Sequence, residues 1–310
     1  MVRSTKLYNS FNLDVKHKGS IILIGNFDGL HLGHQKLFKL AKKYKKKYSM
    51  KVGVLTFEPM PKMYFKKDIK NFRISNREQK ISLLNKFNVD FVILKKFNRK
   101  FSKIKSIDFI KKILKKKLNA KFIFVSNNFR FGNNREGDVR QLIKYQNECN
   151  YKIVKPKPLI NKKKIISSSI IRKYLQKGKL DYANKLLNRK WSIQGKVQKG
   201  KQLGKKIGFP TANIDIKDYV LACPGVYVVR VKMRNKSKVI KGIANLGYRP
   251  TFSGKKILLE VHLFNFSRNI YNKDLTVEFL KFIRKEKKFK NINQLRKQIK
   301  IDLKIAKRAK

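Results

Sequence analysis

The sequence predicts two domains: a doubly wound α/β domain over residues 1–187 and a closed or sandwich-like antiparallel β domain with a C-terminal helix over residues 188–310. The chain has 310 residues, and a domain usually contains roughly 100–200. The first part alternates short apolar, β-branched runs with helix-like segments, which is typical of a parallel sheet. The last part has closely spaced strand-like runs separated by Gly, Pro and Asn turns, which is typical of a barrel or sandwich.

Short apolar runs in the first domain predict buried parallel strands. Between them, a capping box at residues 75–78 (SNRE) leads a helix over 76–87, and Ser106 is predicted to cap a helix over 107–114. The predicted strands are residues 21–24, 52–57, 91–94 and 122–125, and the first predicted helix is 35–44.

The second domain contains strand-like runs with no long helix between them. After these runs, residues 291–307 return to helical spacing, with Ile292, Leu295, Ile299, Leu303 and Ala306 on one face. No internal repeat is present. The predicted strands are residues 192–197, 225–231, 239–244, 257–264 and 275–282.

The charge of the chain is extreme, with 79 Lys and Arg residues against 18 Asp and Glu and a formal net charge of +61. Such a field attracts polyanions. However, 63 of the basic residues are lysines, spread over the whole chain, and only 16 are arginines. Proteins that read specific nucleic-acid sequences depend on arginine for bidentate contacts with bases. We therefore interpret the charge as a compositional background and predict no specific nucleic-acid partner, with a basic RNA- or membrane-associating protein as the alternative.

Two cysteines, Cys149 and Cys223, lie far apart in the chain. This spacing supports neither a disulfide framework nor a cysteine zinc site. The first twenty residues lack a signal-peptide pattern, and no apolar stretch reaches the roughly 20 residues that span a bilayer. The sequence therefore predicts a cytoplasmic protein without a membrane partner, and makes no prediction of its oligomeric state.

The strongest local signal is the segment 25–35 (GNFDGLHLGHQ), which follows the first predicted strand and opens the first long helix. A strand, a glycine-rich turn and a helix N-terminus together form an anion site, because free backbone N–H groups and the positive end of the helix dipole point at the ligand. His31 and His34 are three residues apart and share one helix face. Both could therefore bind a triphosphate and stabilise charge that develops at its α-phosphorus.

Two other interpretations of this segment exist. The residues could serve only capping and packing, or the two histidines could form part of a metal site, for which no third ligand is evident. The nucleotide interpretation is favoured because the chain has four histidines and two of them lie in this turn. On these residues the first domain resembles the HxGH nucleotidyltransferases, a Rossmann-like α/β superfamily that binds ATP and transfers a nucleotidyl group.

Further motifs narrow the resemblance to the prokaryotic bifunctional riboflavin kinase/FMN adenylyltransferases, also called FAD synthetases. These motifs cover nearly the whole chain, and their occurrence in both predicted domains makes the match more specific. The resemblance implies a small antiparallel β-barrel for the second domain, with ATP as co-substrate, Mg²⁺ as cofactor, and riboflavin, FMN and FAD as substrates and products. The motifs are residues 56–61 (TFEPMP), 129–132 (FRFG), 134–138 (NREGD), 166–172 (ISSSIIR), 204–213 (GKKIGFPTAN), 242–251 (GIANLGYRPT) and 260–263 (EVHL).

For the first domain, the resemblance implies that FMN attacks the α-phosphorus of ATP and expels pyrophosphate, with His31 and His34 as catalytic residues. The serine triplet would bind the leaving pyrophosphate if it starts a helix, although a plain helix cap is the other interpretation. Asp28 could equally cap the helix turn or contact the nucleotide or magnesium. The implied ATP-binding residues are Gly25, Asp28, His31, Gly33, His34, Asn128, Ser167, Ser168, Ser169 and Arg172.

For the second domain, the resemblance implies that the riboflavin hydroxyl attacks the γ-phosphate of a second ATP, with Glu260 as the catalytic base. A lone carboxylate in the apolar run 257–261 is costly to bury without a role. Thr211 and Asn213 are hard oxygen donors suited to Mg²⁺, and Arg249 could meet the flavin or brace a turn. The remaining implied ATP-binding residues are Gly200, Gly204 and Gly208, for which ordinary turn glycines are the other interpretation.

The sequence departs from the family pattern at three positions: Met60 stands where His is usual, Ser126 where Gly is frequent, and Ser169 where Thr is usual. Ser169 keeps a hydroxyl, whereas Met60 removes a possible polar contact in the adenylyltransferase half. Two alternatives within the resemblance are an HxGH enzyme with a different acceptor, such as a pantetheine or nicotinamide nucleotide, and a chain that keeps only one of the two activities.

Overall fold

A computed structural model describes residues 5–309 except 67, 70, 162, 201, 203, 205–206, 217, 234–237 and 252–253, and only the backbone of 249–251 and 254–256. The chain forms two compact units, Met1–Ile69 with Arg77–Ser167 and Lys70–Asn76 with Ser168–Lys310. The domain boundary at residue 187 stays a prediction. Within the described ranges, no helix is long and apolar enough to cross a membrane.

The first unit contains a six-stranded parallel sheet, as the strand–helix alternation predicts. The strand order is β1-β4-β3-β2-β5-β8, so the chain runs outward from β2 to β4 and then returns to the other side of β2 with β5. The edge strands β1 (KLY) and β8 (KIV) each contain a lysine, so they lack the continuous apolar run that predicts the central strands. The strands are β1 (Lys6–Tyr8), β2 (Ile21–Ile24), β3 (Val52–Glu58), β4 (Phe91–Lys96), β5 (Phe122–Phe124) and β8 (Lys152–Val154).

Short hairpins and helices complete this unit. The hairpins pair β6 (Arg130–Phe131) with β7 (Gly137–Asp138) and β9 (Ile160–Asn161) with β10 (Lys164–Ile165). The helices are α1 (Leu32–Tyr48), α2 (Pro61–Phe65), α3 (Arg77–Asn85), α4 (Arg99–Ser102), α5 (Ser106–Asp108), which continues as the π-helix Phe109–Lys117, and α6 (Val139–Lys144), with 3₁₀ turns at Val15–His17 and Asn133–Arg135.

Helices cover both faces of the parallel sheet, and strand β2 shows how. Ile22 and Ile24 belong to one core, together with residues of the π-helix. Ile21 and Leu23 point to the other face and pack with residues of α1. Because successive strand residues face opposite sides, a strand buried on both faces is apolar throughout. This arrangement confirms the doubly wound α/β prediction.

Ser106 does not cap the helix that follows it, contrary to the sequence prediction. The N-cap residue is Lys105, and Ser106 is the first helical residue. Its backbone N–H donates a hydrogen bond of 2.6 Å to Oε1 of Glu136. A carboxylate 30 residues away thus satisfies the helix terminus, which spacing within the helix could not reveal.

The second unit contains a closed six-stranded antiparallel barrel, which confirms the predicted β domain. The strand order around the barrel is β11-β12-β15-β14-β13-β16. Trp191 and Tyr227 pack against Phe279, with ring centroids 4.6 and 5.0 Å apart. The strands are β11 (Ser192–Gln198), β12 (Ala212–Asp215), β13 (Gly225–Met233), β14 (Val239–Thr251), β15 (Gly254–Leu263) and β16 (Asp274–Lys285); the helices are α7 (Ser168–Gln176), α8 (Leu180–Leu187) and α9 (Ile292–Arg308).

The C-terminal helix α9 packs on the outside of the barrel. Ala306 lies in one cluster with Val226 and Val228 of β13. Asp302 is buried and accepts three hydrogen bonds from the guanidinium of Arg284, at 2.7–3.0 Å. The helix is therefore held by apolar packing and a buried ion pair, which identifies this face of β13 as the outer face.

Candidate functional site

The loop between β2 and α1 has an unusual backbone. Its start is tied to β3, because Gly25 N–H donates to Leu55 O at 3.1 Å and Thr56 Oγ1 donates to Asn26 O at 3.3 Å. Phe27 and Leu30 both have positive φ, 48° and 36°. Such a conformation costs about 1–3 kcal/mol per residue and persists only where packing enforces it. Here both side chains are almost completely buried.

His31 and His34 lie together at the N-terminus of α1. His31 is the N-cap, and its Nδ1 accepts a hydrogen bond of 3.4 Å from His34 N–H. The two imidazole rings stack with centroids 3.8 Å apart. Gly33 leaves room for this pair, because a Cβ at that position would lie 3.1 Å from the ring of His31. His31, rather than Asp28, therefore occupies the capping position of the helix, and Asp28 is buried in the turn before it.

The electrostatics of His34 point to a ligand. Its Nδ1 is buried and has no hydrogen-bond partner among the described residues. Burial lowers the pKa of His34 well below 6.5, and the neighbouring His31 lowers it further. The imidazole is therefore neutral near pH 7. A buried polar atom without a partner costs about 1–3 kcal/mol, so an incoming hydrogen-bonding group would be stabilised here.

The topology places this loop where ligands usually bind in open α/β sheets. The strand order reverses between β2 and β5, and ligands bind in the crevice at such a switch point, beyond the carboxyl ends of the strands. Asn128 follows β5 at the same edge and is exposed. Its Oδ1 accepts a hydrogen bond of 2.9 Å from Ser126 Oγ. The serine at this position therefore orients Asn128, a contact that a glycine could not make.

The serine triplet starts a helix, as the pyrophosphate hypothesis requires, because α7 begins at Ser168. Ser167 ends the first compact unit, whereas Ser168, Ser169 and Arg172 belong to the second. Arg172 Nε donates to Phe72 O at 2.8 Å, and its guanidinium lies 3.7 Å from the centre of the Phe72 ring. Arg172 therefore has a packing role within the second unit, and its contact with a phosphate stays a prediction.

In the barrel, three polar residues form one row across neighbouring strands. Glu260 of β15 pairs with Asn213 of β12 on one side and with Asn245 of β14 on the other. Directly paired residues share a sheet face. Asn245 in turn pairs with Val226, which packs under α9. The row therefore lies on the outer face of the barrel.

The loop before β12 packs closely on this row. Asn213 is buried, and its Oδ1 has no hydrogen-bond partner in the part of the chain that the structure describes. A methyl group at Gly200 would overlap the Asn213 amide. A methyl at Gly204 would overlap Phe209 O and lie 3.3 Å from Thr211 Oγ1, whereas one at Gly208, where φ is +88°, would meet nothing within 4 Å. Gly200 and Gly204 thus permit close approach, and Gly208 serves a turn.

Asn245 belongs to this row and His262 borders it, and the sequence assigned neither residue a role. His262 Nδ1–H donates to Pro210 O at 2.8 Å, which holds the segment that carries Thr211. The sequence could have identified His262, because side chains alternate between the two faces of a strand and His262, two residues beyond Glu260, shares its face. The side chain of Arg249 lies outside the described part of the chain.

Comparisons with known proteins agree with both halves. A family model described as FAD synthetase matches residues 13–170, and one described as riboflavin kinase matches residues 187–310. Proteins named bifunctional riboflavin kinase/FMN adenylyltransferase are 40% identical in Buchnera aphidicola (96% of each chain), 36% in Escherichia coli K12 and 32% in Bacillus subtilis (both 91% of this chain and 90% of the relative). The chain belongs to the bifunctional riboflavin kinase/FMN adenylyltransferase family. It is an enzyme of flavin cofactor biosynthesis whose substrates are riboflavin, FMN and ATP.

A solved structure supports the fold over nearly the whole chain. A crystal structure titled as a macrolide-efflux protein from Streptococcus pneumoniae has a TM-score of 0.84 and 28% identity, and the match covers 98% of this chain and 99% of that one. The likeness confirms that the α/β domain and the barrel occur together in one known chain. The loop between β2 and α1 contains the HxGH motif at residues 31–34 and is called the HxGH loop. This loop and the outer face of the barrel are the two candidate active sites.

Proposed function

We propose that adenylyl transfer takes place on the loop 25–34 and that phosphoryl transfer takes place on the outer face of the barrel at Glu260. The single observation that best supports the first site is the buried Nδ1 of His34 at the N-terminus of α1, which has no hydrogen-bond partner in the described part of the chain. In the α/β domain, an FMN phosphate oxygen attacks the α-phosphorus of ATP, and the bond to pyrophosphate breaks. Such a transfer needs alignment and charge stabilisation rather than a covalent nucleophile.

In this proposal the neutral His34 donates a hydrogen bond to the phosphate oxygens, and His31 stacks beside it and fixes the ring. Charge that develops at the α-phosphorus would then be stabilised by preorganised donors, typically the largest catalytic effect. The backbone around Gly25 and Gly33, the buried Asp28 and the exposed Asn128 bind the rest of ATP. Ser167, Ser168, Ser169 and Arg172 receive the leaving pyrophosphate.

In the barrel, Glu260 accepts the proton of the riboflavin hydroxyl as that oxygen attacks the γ-phosphorus of ATP. Its position supports this role, because its two cross-strand neighbours are the uncharged Asn213 and Asn245. Gly200, Gly204 and Gly208 shape the loop that approaches ATP, and Arg249 contacts the flavin.

The residues beside Glu260 fit magnesium. Asn213 presents a buried oxygen without a hydrogen-bond partner among the described residues, and Thr211 immediately precedes β12, two positions before Asn213. Mg²⁺ prefers oxygen ligands and usually takes few of them from the protein. Thr211 and Asn213 would hold the ion, which when bound neutralises charge on the phosphates of ATP. The cytoplasmic location and the absence of a specific nucleic-acid partner stay predictions.

The test counts triphosphate sites. Calorimetric titration of the intact protein with adenylyl imidodiphosphate and Mg²⁺, without flavin, is expected to show two sites. His34→Ala should weaken one of them, and Asn213→Ala should weaken the other. Chelation of Mg²⁺ should weaken the Asn213 site more than the His34 site. A single site, or two sites that both respond to the same variant, would contradict the proposal.

The assay with natural substrates complements this count. With riboflavin, ATP and Mg²⁺, the protein is expected to form FMN and then FAD, which chromatography separates. A nicotinamide or pantetheine nucleotide supplied in place of FMN should not be adenylylated. Efficient use of such an acceptor, together with no use of FMN, would overturn the assignment of the HxGH loop to FMN.

A further inference from the structure

Lys80 is a buried lysine in the α/β domain. It lies in the first turns of α3 and is only 2% exposed. Its Nζ donates to Thr56 Oγ1 at 3.5 Å and is 3.8 Å from Oε2 of Glu58. Burying an ammonium group is expensive even when it is paired with a carboxylate. A lysine in this position therefore calls for an explanation beyond the stability of the fold.

Two hydrogen bonds connect Lys80 to the start of the HxGH loop. Thr56 is completely buried near the carboxyl end of β3, and its hydroxyl donates to Asn26 O at 3.3 Å. Asn26 immediately precedes the strained residue Phe27. A continuous chain of polar contacts thus runs from Lys80 through Thr56 to the start of the loop that carries His31 and His34.

The direction of these hydrogen bonds has a physical consequence. Thr56 has one hydroxyl proton, which it donates to Asn26 O, and its lone pairs accept from an outside donor. The Lys80 ammonium can only donate, so it orients the hydroxyl toward the loop. A charged donor also strengthens the onward hydrogen bond by polarising the hydroxyl in a low-dielectric interior.

We propose that Lys80 is a positioning residue for adenylyl transfer, which acts through Thr56 to hold the turn at Asn26 and thereby the two histidines. The inference rests on the proposed role of the loop. Catalytic groups must be held within a fraction of an ångström, and misplacement by 1 Å can cost about 10²-fold in rate. Because the loop is strained at Phe27 and Leu30, it needs such an anchor.

The test measures FAD formation from FMN and ATP. Lys80→Met keeps the length of the side chain and removes the charge; it is expected to lower kcat and kcat/KM by roughly 10²-fold with little change in the KM for FMN. Thr56→Val removes the hydroxyl through which Lys80 acts, so it is expected to lower kcat by a similar factor of roughly 10². Thr56→Ser, which keeps the hydroxyl, should stay within about threefold of the wild type.

The double variant Lys80→Met/Thr56→Val distinguishes a relay from two separate effects. If Lys80 acts through Thr56, the double variant should be no slower than Lys80→Met alone, because residues in one network are not additive. Losses that multiply would overturn the relay. So would a Lys80→Met variant that unfolds at lower temperature but keeps the kcat of the wild type.

Two controls accompany these variants. Lys45→Met removes a lysine that forms a 2.6 Å ion pair with Asp90 in the same unit, and it should leave kcat unchanged. FMN formation from riboflavin reports whether the barrel of each variant is intact, and thermal unfolding followed by circular dichroism reports whether its α/β domain is folded. If Lys80→Met does not fold, the comparison of Thr56→Val with Thr56→Ser decides alone, and equal activity of these two refutes the relay.

A comparison with His34→Ala separates this inference from the proposed function of the loop. A loss of FAD formation in His34→Ala without one in Lys80→Met refutes this inference only, whereas no loss in either variant also refutes the assignment of the loop.

Discussion

In the proposed function, the loop of the α/β domain and the outer face of the barrel bind the same chemical group, the triphosphate of ATP, by different physical means. The loop places two stacked imidazoles at a helix N-terminus, where the backbone itself provides donors. The barrel face places a carboxylate between two amide side chains on three adjacent strands. The first arrangement suits a transfer that needs only alignment and charge stabilisation. The second suits a transfer that also needs a proton acceptor and a metal ion.

This difference explains which part of each site is local in sequence. A helix N-terminus is assembled from consecutive residues, so the loop appears as one continuous motif. A row across a sheet takes one residue from each strand, so Asn213, Asn245 and Glu260 come from three separate motifs. The comparison predicts that the two sites can be disabled independently.

The largest expected effect is that of Glu260→Gln. Removing the proton acceptor should reduce FMN formation from riboflavin by at least about 10³-fold, near the upper range for loss of general base catalysis. FAD formation from supplied FMN should be unchanged, because the HxGH loop is a separate site. Both rates are measured on the same preparation by chromatography. Equal damage to both steps would show that the sites are not independent.

His34→Ala should have the opposite selectivity. It is expected to reduce FAD formation by roughly 10²–10³-fold, the usual scale for one transition-state donor, and to spare FMN formation. His17→Gln is the matched control, since His17 is also a buried histidine but its Nδ1 is hydrogen-bonded to Tyr8 OH at 2.7 Å. That control should lower the melting temperature and keep FAD formation. A similar loss of FAD formation in both variants would assign the effect to stability instead.

A pair of glycine substitutions sharpens the comparison on the barrel side. Gly200→Ala should lower the kcat of riboflavin phosphorylation by about tenfold or more, because the new methyl displaces the Asn213 amide. A methyl at Gly208 would meet no atom of the described residues within 4 Å, and Gly208→Ala strains a positive φ, which costs about 1 kcal/mol in stability. Kinetics and thermal unfolding of the two variants separate these effects. If Gly208→Ala impairs catalysis more than Gly200→Ala, the proposed role of Asn213 fails.

The smallest expected effect is the pH dependence of stability in the α/β domain. Burial lowers the pKa of His17 and of His34 below 6.5. The unfolded chain therefore binds more protons than the folded chain below that pH, and stability is lost as the pH falls. The melting temperature should drop by about a few degrees between pH 7.5 and 5.5. His17→Gln and His34→Gln should each flatten this profile, and an unchanged profile in both would contradict the assignment.

The elements that could be predicted from the sequence are those with a local signal. The sequence predicts strand β2 with its observed bounds. It also predicts the turn between this strand and a helix N-terminus, because strand, turn and helix follow each other directly in the chain. Strand β12 was missed because its four residues (ANID) lack the continuous apolar run that marks β2 (IILI). Ser106 was assigned the wrong role, since the group that satisfies its helix terminus, Glu136, lies 30 residues away.

Lys80 shows a further limit of prediction from sequence. Lysine is almost never buried, so a lysine on a helix is interpreted as a surface residue, especially in a chain with 63 of them. Only the packing of α3 against β3 shows that this one is enclosed. The sequence therefore does not distinguish this buried lysine from the other lysines of the chain.

By itself, the sequence determined the two-domain order, the parallel sheet, the antiparallel β domain, and the positions of the loop 25–34 and the carboxylate in β15, because each depends on residues that are neighbours in the chain. Tertiary structure alone decided that Asn213, Glu260 and Asn245 share one face, that His34 Nδ1 is buried without a partner among the described residues, and that Lys80 contacts Thr56. These features depend on strand register and burial, which arise only when distant segments pack together.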